Sequence, residues 1–216
     1  MNLFLLILTS FTVGAIPFGV MISKIFFGFD IRSKGSGNMG STNIYRVLGI
    51  PWGIVVQVLD ILKGFVPTVL IAAFFLDYES SLNYSQMKIV SGLSAVLGHI
   101  FSPFVKFKGG KGINTAVGML LGVSPIDLGV CIFFFLISIF STGMISVGAL
   151  VAAFILPNSL VIRHYLISNQ DGFRSLLAFF IFLTIIVFFT HRSNIRRLID
   201  GKENKFPKLQ IFKISK

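Results

Sequence analysis

Apolar residues occur in long runs along the chain, and short polar segments separate the runs. Seven runs can be marked, at about 3–28, 51–76, 87–105, 113–123, 125–140, 143–162 and 175–190. A helix needs about 20 apolar residues to cross a bilayer core of about 30 Å. The pattern therefore predicts an all-α fold, a polytopic bundle of transmembrane helices.

The number of crossings depends on two of these runs. The runs 113–123 and 125–140 are too short to span a bilayer unless they are tilted or surrounded by protein. Five or seven crossings fit, and we favour seven. The first run has no Lys or Arg before Lys24 and no clear small-residue cleavage site, so we interpret it as a retained span and not as a secretory signal.

The composition supports the membrane class. Of 216 residues, 54% are hydrophobic and only 12% are charged, which lies outside the usual range of soluble domains. Cys131 is the only cysteine, which excludes a disulfide within the chain and a metal cluster held by cysteines. We expect one domain over residues 1–216, with no metal ion and no cofactor.

The distribution of basic residues predicts the topology. They cluster in segments 30–49 and 106–111 and in the tail after His191, whereas segment 77–86 has two acidic residues and no Lys or Arg. The positive-inside rule places the three basic segments in the cytoplasm, which requires an odd number of crossings and an N-terminus outside. The net charge of +11 is explained by orientation and anionic headgroups, so we expect no nucleic-acid partner, although an anionic ligand at this face is favoured.

The first polar segment, SGNMGSTNIYRVLG, covers residues 36–49. Ser36, Asn38, Thr42 and Asn43 supply neutral hydrogen-bonding groups, and the Arg46 guanidinium suits a phosphate or carboxylate. These residues are candidates for substrate binding. Alternatively, Arg46 only marks the cytoplasmic side, and the small polar residues only cap the following helix, a role that we favour for Thr42 and Asn43.

The second polar segment contains GGKG, with Gly109, Gly110, Lys111 and Gly112 following Lys108. We expect the glycines to leave backbone N–H groups uncovered at the start of a helical stretch, INTAVGMLLG. Such a helix N-terminus with a lysine is suited to bind a phosphate. The alternative, that the glycines only allow a tight turn, stays open. The loop is not a Walker A motif, because Gly112 stands where that motif has Ser or Thr.

The third polar segment, residues 190–205, contains His191 and Asn194. They are three residues apart and share one face if the last helix continues. Three arginines beside them favour a catalytic or binding role, although a histidine at a membrane surface is often only a polar group reaching water. Within the second apolar run, Asp60 and Lys63 lie three apart, and we expect a structural ion pair there because charges at that depth are costly.

Together, SGNMGSTNIYRVLG, DILKG, GHIFSPFVKFKGGKG and THRSNIRRLIDGKE resemble, in order and spacing, the bacterial acyl-phosphate:glycerol-3-phosphate acyltransferase family. The resemblance covers nearly the whole chain. It implies an enzyme of the bacterial cytoplasmic membrane whose active site faces the cytoplasm. Its substrates would be acyl phosphate and glycerol 3-phosphate, its products lysophosphatidic acid and inorganic phosphate, and its other partners membrane lipids.

The resemblance also implies roles for single residues. Ser36 and Arg46 match functional positions of the family's first motif, the glycines and Lys111 match its phosphate-binding loop, and His191 and Asn194 match its third motif. We therefore expect catalytic roles for Ser36, Arg46, His191 and Asn194. We expect substrate or phosphate binding by Asn38, Thr42, Asn43, Lys108, Gly109, Gly110, Lys111 and Gly112. The sequence departs from the family pattern at Ser41, Asn114, Thr190 and Pro103, none of which removes a polar functional group.

The chemistry of an acyl phosphate agrees with these residues. A mixed anhydride has a good leaving group, so positioning and charge neutralisation can suffice without a covalent intermediate. We expect His191 to bind or orient the substrate, because a substrate phosphate oxygen can accept the hydroxyl proton. No histidine is followed five positions later by Asp, which excludes resemblance to the other large class of glycerophosphate acyltransferases and its thioester donor. A transporter of a phosphorylated metabolite is the competing hypothesis, but transporters place substrate contacts near the bilayer midplane.

Overall fold

The structure, a computed structural model, describes residues 2–76, 82–166 and 172–211, and these residues contain helices and no strand. The all-α prediction is therefore confirmed for the described part of the chain. The helices are α1 (Asn2–Ala15), α2 (Phe18–Phe27), α3 (Ser41–Leu48), α4 (Ile50–Val66), α5 (Ala72–Phe74), α6 (Tyr84–Ile100), α7 (Ile113–Val123), α8 (Pro125–Thr142), α9 (Ile145–Leu166), α10 (Phe173–Thr190) and α11 (Arg192–Ile199). A π-helical segment, Pro67–Ile71, joins α4 to α5.

Six helical stretches of the described residues are long and apolar enough to cross a membrane. They are Leu3–Phe27, Ile50–Phe74, Tyr84–Val105, Pro125–Thr142, Ile145–Leu166 and Phe173–Thr190. The expectation that the fifth apolar run is too short is wrong, since α8 has 18 residues. Outside these six stretches, the described residues include one shorter apolar helix, α7, with 11 residues.

The chain forms two compact units, residues 1–124 and 125–216. In the first unit, Pro17 interrupts the first span between α1 and α2. Proline lacks an N–H, so carbonyl groups before it lose their helical partners. The Lys63 ammonium donates to the Ile16 carbonyl at 2.7 Å, and the Ser102 hydroxyl donates to the Ala15 carbonyl at 2.6 Å. The break is thus satisfied by side chains, as an apolar surrounding demands.

The short helix α7 packs closely against α4 in the first unit. A Cβ atom added to Gly64 would lie 2.0 Å from the Thr115 carbonyl oxygen, so the two backbones meet without an intervening side chain. The buried face of α7 includes Thr115, Met119 and Leu120. Protein therefore surrounds much of this helix, which explains how so short an apolar helix is stable.

The second unit is built on α8, α9 and α10. Arg163 of α9 pairs with the buried Asp127 of α8 at 2.6 Å, and the Ser159 hydroxyl donates to the same carboxylate at 3.0 Å. The Thr184 hydroxyl of α10 donates to a backbone carbonyl of α9 at 2.7 Å. Polar contacts thus join the three helices within an apolar unit.

Candidate active site

The first polar segment folds around the side chain of Asn43, which is only 1% exposed. Its Oδ1 accepts the backbone N–H of Ser36 at 2.8 Å. Its Nδ2 donates to the carbonyl oxygens of Lys34 at 3.0 Å and Asn38 at 2.9 Å, with a longer contact to Ile31. Asn43 therefore sets the path of the loop and leaves the Ser36 side chain exposed on it.

The capping interpretation of Thr42 and Asn43 is wrong. The N-cap of α3 is Gly40, and no side chain caps this helix. Thr42 lies in the first turn and Arg46 in the last, and both are half-buried. Because they are four residues apart, their side chains project from one face of α3.

The first polar segment and the residues just before it contact the second polar segment in the first unit. Arg32 binds the Asp30 carboxylate at 2.7 Å and donates to the Val105 carbonyl at 3.2 Å. The hydrogen bond from Arg32 lowers the pKa of Asp30 to about 2. The second contact joins the helices themselves, since Asn114 Nδ2 donates to Ser41 Oγ at 2.8 Å.

The GGKG loop is held against the C-terminal end of α6. The N–H of Gly109 donates to the Ile100 carbonyl at 3.1 Å, and the N–H of Gly110 donates to the His99 carbonyl at 3.2 Å. These carbonyls belong to the last turn of α6, where helical partners run out. The expectation that the glycines leave their N–H groups uncovered is thus wrong for Gly109 and Gly110.

The anion-binding character of the second segment lies at the start of α7. Gly112 is the N-cap with φ of 80°, a conformation that favours glycine, and no side chain caps the helix. The first N–H groups of a helix point outward and carry partial positive charge. Lys111 is half-buried immediately before this N-terminus, and Lys108 is exposed. The arrangement can hold a phosphate group.

The third polar segment lies in the second unit. The helix does not continue unbroken, because α10 ends at Thr190 and His191 is the junction with α11. His191 is 2% exposed, and its Nδ1 lies 2.8 Å from the Val187 carbonyl oxygen. A carbonyl only accepts, so Nδ1 donates a proton to this contact.

Glu203 organises this segment. Its carboxylate accepts hydrogen bonds from Ser146 at 2.9 Å, Asn194 at 2.7 Å and Arg197 at 2.8 Å. Burial alone raises the pKa of Glu203, but these hydrogen bonds outweigh burial and hold the pKa below its usual range. Ser146 and Glu203 were not predicted from the sequence, although an acidic residue within the basic tail after His191 was an available signal.

The expected ion pair is confirmed in the first unit. Lys63 Nζ lies 2.8 Å from Asp60 Oδ1, and both side chains are almost fully buried. His99 Nδ1 lies 3.7 Å from the same oxygen. His99 was not among the site residues predicted from the sequence.

Comparison with known proteins identifies the family. The chain matches the family model described as "Glycerol-3-phosphate acyltransferase" over residues 4–201. The chain belongs to the glycerol-3-phosphate acyltransferase family. As a member of this family it is a multi-pass membrane acyltransferase, and phospholipid synthesis follows from the family.

Relatives and solved structures of the glycerol-3-phosphate acyltransferase family resemble the chain over almost its full length. The glycerol-3-phosphate acyltransferase of Chlorobium phaeobacteroides is 38% identical, covering 95% of this chain and 97% of the relative. That of Chlorobaculum tepidum is 36% identical, covering 93% of this chain and 94% of the relative.

Two crystal structures of PlsY (YgiH), an integral membrane glycerol 3-phosphate acyltransferase, also match. The glycerol 3-phosphate form has a TM-score of 0.81 at 33% identity, covering 95% of this chain and 96% of that one. The lysophosphatidic acid form has a TM-score of 0.80 at 31% identity, covering 98% of each chain.

Proposed function

We propose that the protein transfers a fatty acyl group from acyl phosphate to the sn-1 hydroxyl of glycerol 3-phosphate. The hydroxyl oxygen attacks the acyl carbonyl carbon, and the bond from that carbon to the phosphate oxygen breaks. Inorganic phosphate leaves with the electron pair, and the hydroxyl proton moves to a phosphate oxygen. The products are 1-acyl-glycerol 3-phosphate and inorganic phosphate, and no residue becomes acylated.

One observation carries this proposal. The hydrogen bond between Asn114 and Ser41 places the N-terminus of α7 beside α3, which bears Arg46. The reaction needs two phosphate-bearing substrates close together, and two cationic elements next to each other suit that need. We assign the GGKG loop and the α7 N-terminus to the phosphate of the donor, and Arg46 to the phosphate of the acceptor.

The other residues of the first segment support the acceptor. The exposed hydroxyl of Ser36 hydrogen-bonds a glycerol hydroxyl, and Thr42 shares the helix face of Arg46. Asn38 uses its Oδ1 to accept the N–H of Gly40 at 2.9 Å, which shapes the turn into α3. Asn43 acts by holding the loop, because its amide is engaged by loop backbone groups.

In the third segment, His191 and Asn194 orient the acceptor. The carboxylate of Glu203 fixes Asn194. In its neutral form with the proton on Nδ1, the His191 ring accepts a hydrogen bond from a substrate hydroxyl at Nε2. A phosphate oxygen of the donor can receive the proton as the leaving group departs, so His191 is not required as the base.

The topology proposed for the chain has seven crossings within one functional domain of the bacterial inner membrane. The six long spans and α7 make seven, and an odd number agrees with the positive-inside rule. The N-terminus lies outside, and the active site and C-terminus face the cytoplasm. Glycerol 3-phosphate then enters from water, while the acyl chain and membrane lipids lie against the apolar helices.

The decisive experiment is performed on purified protein in detergent, where no transport is possible. Palmitoyl phosphate and glycerol 3-phosphate are supplied, and inorganic phosphate and lysophosphatidic acid are measured together. We expect equal amounts of both products, and much less with Lys111→Ala. The control is Lys106→Asn, since Lys106 is exposed at φ of 58° and asparagine tolerates that conformation.

The outcomes separate three possibilities. Product formation from a palmitoyl thioester but not from palmitoyl phosphate would contradict the proposed donor. Binding of glycerol 3-phosphate without product from either donor would favour the transporter hypothesis.

A further inference from the structure

His99 lies between the glycine loop and a buried ion pair. It is in the last turn of α6 and is 3% exposed. Its carbonyl accepts the N–H of Gly110, and its ring faces the same glycine. A Cβ atom added to Gly110 would lie 2.1 Å from Nε2 of the ring and 3.0 Å from Cε1, so the ring leaves no room for a side chain at this position. The imidazole therefore forms the surface on which the loop rests.

The opposite edge of the ring faces the ion pair of α4. His99 Nδ1 is 3.7 Å from Asp60 Oδ1, and within the described residues this nitrogen has no hydrogen-bond partner. Asp60 is fixed by Lys63 at 2.8 Å, and Lys63 also binds the Ile16 carbonyl at the Pro17 break. The ring is thus bounded by fixed groups on both sides.

We propose that His99, supported by Asp60 and Lys63, is a positioning residue that sets the height and path of the GGKG loop. This inference rests on the proposed function, in which that loop and the α7 N-terminus hold the phosphate of the acyl donor. His99 does not touch substrate in this scheme. It acts through the backbone of Gly109 and Gly110. It thereby affects the positions of Lys111 and Gly112.

The nearby carboxylate also influences which nitrogen of the His99 ring carries the proton. A carboxylate near Nδ1 favours the imidazole tautomer with its proton on that nitrogen, which leaves Nε2 facing Gly110. Asp60 thereby favours the proton on Nδ1 and leaves Nε2, the nitrogen that faces Gly110, without one. Lys63 balances the Asp60 charge, so the support is nearly neutral and does not repel an incoming phosphate.

Two replacements of His99 test the proposal, because we expect them to change KM for one substrate and not for the other. His99→Ala removes the surface under Gly110, and we expect KM for palmitoyl phosphate to rise about 10- to 100-fold. KM for glycerol 3-phosphate should change less than about 2-fold, since Arg46 lies on another helix. His99→Gln places an amide near the position of Nε2 and should restore KM for palmitoyl phosphate to within about 5-fold of wild type.

Binding of inorganic phosphate gives a second readout that does not depend on turnover. Inorganic phosphate competes with palmitoyl phosphate for the loop, so its inhibition constant should rise in His99→Ala by the same factor as KM. Asp60→Asn combined with Lys63→Met removes both buried charges together, which avoids an unpaired charge. We expect this double variant to raise KM for palmitoyl phosphate in the same direction, and His164→Ala, at a histidine stacked on Phe173, to leave both KM values unchanged.

The outcomes are distinguishable. If wild-type protein releases no phosphate from palmitoyl phosphate, the proposed function fails and the inference fails with it. If wild type is active and His99→Ala keeps its KM values and phosphate inhibition, the inference alone is overturned. A fall of kcat with both KM values unchanged would also overturn it, because a general loss of active protein predicts that result. Should His99→Ala not fold, the comparison of His99→Gln with the double variant decides on the same criteria.

Discussion

Asn114 donates a hydrogen bond to the hydroxyl of Ser41 across 2.8 Å, although the two residues are 73 positions apart in the chain. Ser41 opens α3 and Asn114 opens α7, so this bond joins the helix that bears Arg46 to the helix that follows the GGKG loop. Both residues were identified from the sequence as departures from the expected family pattern, and the structure brings them into contact.

A double-mutant cycle checks this coupling. Ser41→Ala or Asn114→Ala alone should lower the free energy of unfolding, since each leaves a partly buried polar group without its partner. The combined variant should recover part of the loss, with a coupling of about 1 kcal/mol. Denaturation of the four proteins in detergent measures the coupling. Strictly additive losses would show that the bond contributes nothing.

Arg46→Lys should weaken binding of the acceptor despite keeping the charge. The guanidinium can bind a phosphate through two N–H groups, and a contact of this kind contributes about 1.5 to 3 kcal/mol. We expect KM for glycerol 3-phosphate to rise by about 10-fold or more, and KM for palmitoyl phosphate to change little. Arg192→Lys is the matched control, since Arg192 is exposed. An unchanged KM in Arg46→Lys would remove Arg46 from the acceptor site.

Ser36 should act by hydrogen bonding and not as a nucleophile. Its backbone N–H is held by Asn43, and the hydroxyl lies on an exposed loop. Without an acyl-enzyme, initial rates against both substrates should follow sequential and not ping-pong kinetics. Mass spectrometry of protein incubated with palmitoyl phosphate alone should show no added acyl group. Finding palmitate attached to Ser36 would contradict this mechanism while leaving the family unaffected.

Glu203→Gln should lower thermal stability in a pH-dependent way. The pKa of Glu203 is lowered in the folded state from its usual value of 4.5, so the ionised carboxylate stabilises the fold above that pH. This stabilisation is lost as the pH falls through the lowered pKa. The difference in Tm between wild type and Glu203→Gln should thus be large at about pH 7 and shrink at about pH 4. A difference that stays constant with pH would contradict a role for the charge.

Single cysteines test the proposed orientation. In a Cys131→Ala background, cysteines replacing Ser33, Lys108 and Lys202, all exposed, should resist an impermeant thiol reagent added outside intact cells. A cysteine replacing Ser80, in the segment assigned to the outside, should be labelled. After the membrane is opened, all four should react. Labelling of Ser33→Cys in intact cells would show that the first span crosses the membrane in the opposite direction.

The sequence by itself determined the class of this protein and the position of its polar segments. Runs of apolar residues fix where helices lie in a membrane, because every backbone polar group in lipid must be satisfied within a helix. Charge bias adds the expected orientation, and the three motifs indicated the family. The Asp60 and Lys63 pair was also predictable, because both residues lie on one turn of one helix.

Only the tertiary structure decided what the polar side chains do. The sequence suggested Asn43 as a cap, whereas it holds the loop around Ser36. It suggested free N–H groups at Gly109 and Gly110, whereas these groups donate hydrogen bonds to carbonyls in the last turn of α6. Hydrogen bonds are directional and short in range, so a partner distant in sequence becomes available only when two helices pack at one particular register. Periodicity in the sequence records which face of a helix is apolar, but it does not record which helix that face meets.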